Sequence, residues 1–307
     1  MKYTFLYPGQ GSQTVGMGKD LCDTFEIAKK RFVQADELLG RNLSSIIFNG
    51  PQDELTATQN TQPALFTIEA AITDILAEKG ITPAYTAGHS LGEYSALYGA
   101  KVLSFEDGLM AVAKRGALMA AAGKSKPGTM AAVIGISKNK IIEVLKDVTS
   151  GIVVSANENT PEQTVISGEI PAVNEACEKL KAAGAKRAMV LPVSGAFHSP
   201  LMQSAADEFK VILDAFTFSV PVCPVITNVT AKAESDPKLL KNLLVQQLIS
   251  PVRWVDMMST LAGLDNDICI ETGPGSVLKG LVKKCSDSLN VVPSDTATNI
   301  YSLLTNS

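Results

Sequence analysis

Apolar and polar positions run along the chain in blocks whose period switches between that of a strand and that of a helix. Tyr3 to Tyr7 is a β-compatible run that breaks at Pro8-Gly9-Gln10-Gly11-Ser12-Gln13, and a helical pattern covers Asp20 to Leu39. Thr61-Gln62-Pro63 is predicted to open a helix to about Lys79, with proline in its favoured first turn and Gly80 as the stop. Ala84 to Ala87 reads as a strand, and Leu91, Tyr94, Leu97 and Tyr98 begin a helix. Ser104 with Asp107 gives a capping signal for a helix reaching about Ala122.

Gly123 to Gly128 is a polar, breaker-rich linker, and the texture changes after it. Met130 to Ile136 reads as a strand, Lys138 to Val148 as a helix, Ile152 to Ala156 and Gln163 to Ser167 as strands, Pro171 to Ala183 as a helix and Lys186 to Val193 as a strand. That β-α-β-β-α-β order is the ferredoxin-like pattern. Residues 124–194 are therefore expected to form a subdomain inserted between 1–123 and 195–307, which share a texture. The later part reads as a strand over Val222 to Asn228, helices over Pro237 to Gln247 and Pro251 to Leu264, and a strand at Cys269-Ile270-Glu271. Gly273-Pro274-Gly275 turns that strand into a helix from Val277. The fold class is α/β.

Composition narrows the function classes. The 307 residues are 46% hydrophobic and 19% charged with a net charge of −4, enough for a sizeable core, without a basic groove for nucleic acid or a membrane-surface helix. The apolar start is too brief for a signal sequence, and Glu69 and Asp74 interrupt the run from Leu65 to Leu76, so a cytoplasmic protein is expected. Five scattered cysteines without a C-x-x-C pair point to reduced thiols, with no metal site.

Gly88-His89-Ser90-Leu91-Gly92 is the G-x-S-x-G of a nucleophile elbow, in which a tight strand-to-helix turn displays the serine hydroxyl. The plain alternative is an ordinary serine in a glycine-flanked turn. Gly9-Gln10-Gly11 begins like a dinucleotide fingerprint, but Thr14 stands where a third glycine is required and no P-loop ending follows. A serine needs a base, and the chain has only two histidines. The side chain of His89 would leave the elbow in another direction from the hydroxyl, whereas His198, in the small-residue loop Ser194-Gly195-Ala196-Phe197-His198, could reach across to Ser90. No acid between them is marked out, so a triad and a dyad oriented by a carbonyl are equally compatible. Periodicity does not separate Arg115 from adjacent Lys114, since both have apolar helical neighbours.

Together with the elbow, Pro8 to Gln13, Thr61-Gln62-Pro63-Ala64, Ala196-Phe197-His198-Ser199, Gln247-Leu248, Pro251-Val252-Arg253-Trp254 and Gly273-Pro274-Gly275 resemble the malonyl-CoA:acyl carrier protein transacylases and the related acyltransferase domains of polyketide synthases. The resemblance implies an α/β-hydrolase-like core with a ferredoxin-like insertion. It implies that Ser90 is acylated by malonyl-CoA, that His198 is the general base and that the N–H groups of Gln10 and Leu91 hold the oxyanion. It further implies that the Gln247 carbonyl orients the histidine and that Arg115 grips the malonyl carboxylate. Phe197 resembles the bulky residue of malonyl-selective relatives. Asn157, Asn159, Lys186 and Arg187 match positions that meet CoA or the carrier. The expected partners are malonyl-CoA and an acyl carrier protein, with no permanently bound cofactor, and a chain without an adjoining ketosynthase or carrier domain points to fatty-acid synthesis. The alternatives are a trans-acting polyketide acyltransferase, an esterase or thioesterase, and a non-catalytic carrier-binding module.

Overall fold

The computed structural model describes residues 1–193 and 195–305, and the expected boundary at Ser194 lies outside them. The strands are β1 (Tyr3–Tyr7), β2 (Pro83–Gly88), β3 (Gly128–Ile134), β4 (Val153–Thr160), β5 (Gln163–Glu169), β6 (Arg187–Val190), β7 (Val225–Ile226), β8 (Ala233–Glu234), β9 (Ile268–Glu271) and β10 (Val291–Pro293). They form two sheets, ordered β10-β9-β1-β2-β7-β8 and β4-β5-β3-β6. The first is parallel except for β8, and the second is antiparallel throughout.

All five residues of β1 are buried, because helices cover both faces of a parallel sheet and leave its central strand no solvent side. One covering element is the helix Thr58–Glu78, which buries nearly every side chain from Thr58 to Leu76. It starts before the expected Thr61, so Pro63 lies inside the helix and cannot donate to the Gln59 carbonyl. Arg41 donates to that carbonyl instead, at 3.1 Å, which relieves the loss a helical proline causes. The helix Phe105–Ser125 is capped by the Ser104 hydroxyl, which accepts from the Asp107 N–H at 3.0 Å, and it continues past Ala122 into the expected linker.

Other boundaries also moved. The pattern over Asp20 to Leu39 is two helices, Lys19–Thr24 and Glu26–Leu39, broken where Phe25 turns extended and buries its ring. β4 runs on through the polar Asn157-Glu158-Asn159-Thr160, because its backbone pairs with β5 and also exchanges hydrogen bonds with Val252. Val252 is consequently held in a bridge to Asn157, and the helix there is only Trp254–Ala262. The expected strands at Val222 and Lys186 shrink to Val225–Ile226 and Arg187–Val190.

The second sheet has its own core. Ala131, Val133 and Ile166 pack against Ile141 and Val144 of the helix Lys138–Leu145 and against Val173 and Leu180 of the helix Ile170–Ala182.

Candidate active site

The turn after β2 has no room for side chains at its glycines. A Cβ on Gly88 would lie 2.0 Å from the Gly92 carbonyl, and one on Gly92 would lie 2.1 Å from the Tyr7 oxygen. Ser90 between them has φ 52°, a left-handed conformation that costs a non-glycine residue energy unless its surroundings hold it. Three hydrogen bonds do so. Asn228 Oδ1 accepts the Ser90 N–H at 2.7 Å, Asn228 Nδ2 donates to the Gly88 carbonyl at 2.7 Å, and Gln247 Nε2 donates to the Ser90 carbonyl at 2.9 Å.

His198 comes to this turn from 108 residues further along the chain. Its Nε2 is 2.7 Å from Ser90 Oγ and its Nδ1 is 2.8 Å from the Gln247 carbonyl. A carbonyl only accepts, so Nδ1 carries the proton and Nε2 is left to accept from the serine hydroxyl. The ring is buried, and burial together with the Arg115 cation pushes its pKa down to about 3, against the opposing pull of the Gln247 carbonyl. His198 also has a left-handed φ, 56°.

His89 serves elsewhere. Its Nε2 is 2.8 Å from Asn159 Oδ1 and its ring lies against Trp254, which joins the elbow to β4. Burial lowers its pKa.

Arg115 is 1% exposed, while Lys114 faces solvent. The guanidinium donates from Nη1 to Gln62 Oε1 at 2.9 Å, and from Nη2 to Gln247 Oε1 at 2.9 Å and to Ser90 Oγ at 3.1 Å. It also sits 5.4 Å from the centre of the Tyr94 ring. Among the described residues no carboxylate makes an ion pair or hydrogen bond with it. The nearest acidic partner acts through an amide: Gln247 Nε2 donates to Glu93, whose carboxyl burial pushes up to about 7. Amides thus steady a buried cation without neutralising it, which leaves its charge for an incoming anion.

Ser90, His198 and Arg115 line a cavity of about 270 Å³ between the two sheets. β3 contributes Met130 and Ala132, β4 contributes Asn157 and Asn159, and Met119, Val165, Leu191 and Phe197 add apolar wall. Gln10 and Leu91 are also in the lining, and among the described residues neither backbone N–H has an acceptor. The Ser90 N–H, in contrast, is taken by Asn228. Lys186 and Arg187 are exposed and outside this lining, since only the later part of that segment, Leu191 and Val193, reaches the cavity.

Sequence reasoning passed over Gln62, Glu93 and Asn228. Gln62 lies inside a motif already singled out and Glu93 directly follows another, so their polarity in apolar helical surroundings is a usable signal. Asn228 had one weaker mark, a polar residue just past a parallel strand, where open α/β sheets place their sites. Among the described residues no cluster of three or more His, Cys, Asp or Glu is placed to hold a metal ion, and no helix is long and apolar enough to cross a membrane.

The acyl transferase domain model matches residues 4–301. The malonyl CoA-acyl carrier protein transacylase of Bacillus subtilis is 46% identical over 293 residues, covering 95% of this chain and 92% of that protein. The Escherichia coli protein of the same name is 42% identical over 290 residues, 94% of each. The crystal structure of an acyl carrier protein S-malonyltransferase from Vibrio cholerae superposes with a TM-score of 0.96 at 40% identity, covering 99% of this chain and 100% of that one. A malonyl-transacylase in complex with its type II PKS acyl-carrier protein gives 0.97 at 38% identity, with 100% coverage of both chains.

Proposed function

The chain belongs to the acyl transferase family, and from that premise we propose that it moves a malonyl group from malonyl-CoA to the phosphopantetheine thiol of an acyl carrier protein in fatty-acid synthesis. The observation that carries the reading is the convergence on one hydroxyl of an imidazole at 2.7 Å and a buried guanidinium at 3.1 Å. The first makes Ser90 a nucleophile. The second fits an acyl group that ends in a carboxylate.

Ser90 Oγ attacks the thioester carbonyl as its proton passes to His198 Nε2. The N–H groups of Gln10 and Leu91 are the oxyanion donors in this proposal, supported by their place in the lining and their lack of other acceptors. When the C–S bond breaks, His198 returns the proton to the CoA thiolate. In the second half the carrier thiol gives its proton to His198 and attacks the ester, and Ser90 Oγ leaves and is reprotonated. The Gln247 carbonyl keeps the imidazole in the required tautomer, taking the part an acid plays in a triad. Arg115 holds the malonyl carboxylate, Phe197 crowds the α-carbon against branched acyl groups, and Asn157 and Asn159 meet the CoA or carrier arm from β4. Lys186 and Arg187, exposed and outside the cavity lining, meet the CoA or the carrier in this proposal rather than the reacting acyl group.

The finer description of the fold belongs to the same proposal. Residues 1–123 and 195–307 are an α/β-hydrolase-like core, supported by the parallel sheet and the elbow at the end of β2. Residues 124–194 are a ferredoxin-like insertion, supported by the antiparallel order β4-β5-β3-β6 with two helices in one core. Five free thiols support a cytoplasmic setting.

Intact-protein mass spectrometry after exposure to malonyl-CoA tests the function. A malonyl adduct is expected on Ser90, discharged by carrier protein and lost in Ser90→Ala. An adduct that persists in Ser90→Ala, or hydrolysis with no transfer to the carrier, refutes it. A polyketide carrier is the second reading, favoured by the likeness to the complexed malonyl-transacylase. Comparing discharge rates on the two carrier types decides between them.

A further inference from the structure

A guanidinium presents its hydrogens for two-point binding in two pairs, Nη1 with Nη2 or Nε with Nη2, so either grip on a carboxylate uses a hydrogen of Nη2. In this site Nη2 donates to both Gln247 Oε1 and Ser90 Oγ, which engages both its hydrogens. Among the described residues Nε has no hydrogen-bond partner of normal geometry, and Nη1 donates to Gln62. A carboxylate that takes a two-point hold on Arg115 therefore displaces Gln247 or Ser90. The Gln247 amide is fully buried and tied at its other end to the Ser90 carbonyl and to Glu93. The Ser90 hydroxyl faces the cavity and turns about a single bond. It is the partner that yields.

We propose that in the empty enzyme Arg115 restrains the nucleophile, and that the carboxylate of the incoming acyl group releases it. This rests on the transacylase reading and extends it, because it makes the carboxylate an activator as well as a handle. Ser90 Oγ gives its proton to His198 Nε2 and has two lone pairs, one of which accepts from the cation in the empty site. Attack on a thioester carbonyl needs a lone pair directed at carbon. The cation also opposes the imidazolium that forms as the hydroxyl loses its proton. A carboxylate on Arg115 removes both restraints, so a neutral acyl group such as acetyl meets a less reactive serine than malonyl does. Selection then acts on the rate of acylation in addition to binding.

Because the activator and the acyl carbonyl need not be on one molecule, a small free carboxylate beside a bound acetyl group should substitute for the malonyl carboxylate. The experiment is single-turnover acylation of Ser90 by acetyl-CoA with sodium formate as the probe, against sodium chloride at matched ionic strength, read by intact-protein mass. Formate is expected to raise the acetylation rate saturably, by about tenfold, and to compete with malonyl-CoA. The acceleration should vanish in Arg115→Ala, although the wild-type series alone decides the matter if that variant does not fold. Acetylation that formate leaves unchanged or slows overturns the proposal, and so does failure of formate to compete with malonyl-CoA. Failure of the transacylase reading is recognised separately, as absence of any malonyl adduct in the control without formate.

Discussion

An ordinary imidazole would switch the reaction off in mild acid, and the surroundings of His198 predict that this one does not. Its ring is closed off from water, donates from Nδ1 to the Gln247 carbonyl and lies one hydroxyl away from the Arg115 cation. Burial and that cation disfavour the protonated ring and bring its pKa down to about 3 from the reference 6.5. The sign follows directly. A base of pKa about 6.5 would be only about 3% neutral at pH 5, so acylation would slow roughly thirtyfold between pH 7.5 and 5. With the pKa at about 3, the ring stays almost wholly neutral over that range and the rate stays flat. The assay is rapid-quench acylation at subsaturating malonyl-CoA, which reports groups of the free enzyme. Glu93, with a carboxyl near 7, titrates in the same window, so the series is repeated in Glu93→Gln. A tenfold or larger fall between pH 7.5 and 5.5 that persists in Glu93→Gln would refute the reasoning. The same shift bears on stability: unfolding lets His198 take a proton below about pH 6.5, so the residue favours unfolding as the solution becomes acidic.

Arg115→Ala should cost malonyl transfer about 2–3 kcal/mol of transition-state binding, the worth of a lost charge-assisted pair, and leave acetyl transfer undiminished or faster, since it also frees Ser90 Oγ from the cation. Equal losses in kcat/KM for the two donors would place the carboxylate elsewhere. Asn228→Ala should lower kcat by a similar factor for both donors and leave KM near its starting value, since its side-chain amide holds the backbone of the elbow at Gly88 and Ser90 and is absent from the cavity lining; a loss confined to malonyl would contradict that. Among the described residues neither Glu69 carboxyl oxygen has a hydrogen-bond partner of normal geometry, and burial holds its pKa well above the usual carboxylate range against a weaker pull from Ser95. The folded protein therefore keeps a proton that the unfolded chain releases as pH rises through about 4.3, and stability falls above that point. Glu69→Gln should raise Tm at pH 8 more than at pH 4.5, and an equal change at both would count against the assignment.

How far the sequence could be read depended on whether the signal was local. The elbow, the Ser104 cap and the run of elements from Met130 to Val193 announce themselves through neighbours in the chain. The helix start at Thr58 was hidden because the Arg41 donor that excuses Pro63 comes from a different element. Asn157 to Thr160 looked like loop because polar residues rarely fill a strand, and only pairing with β5 and Val252 makes them one. Arg115 and Lys114 are indistinguishable by periodicity, and burial separates them. Asn228 lies 138 residues from Ser90, so beyond its place just past a strand nothing in the chain marks its two hydrogen bonds to the elbow.

The absence of slack at Gly88 and Gly92 divides this scaffold into what can vary and what cannot. A methyl group at either position collides with main chain, which has no rotamer to escape into. A library randomised at those two sites should return glycine alone among active clones. One randomised at Met119, Met130 and Phe197 should return a range of acyl preferences, because side chains there bound a space and do not hold up a turn. The bend is the fixed origin from which an engineer can measure out new chambers.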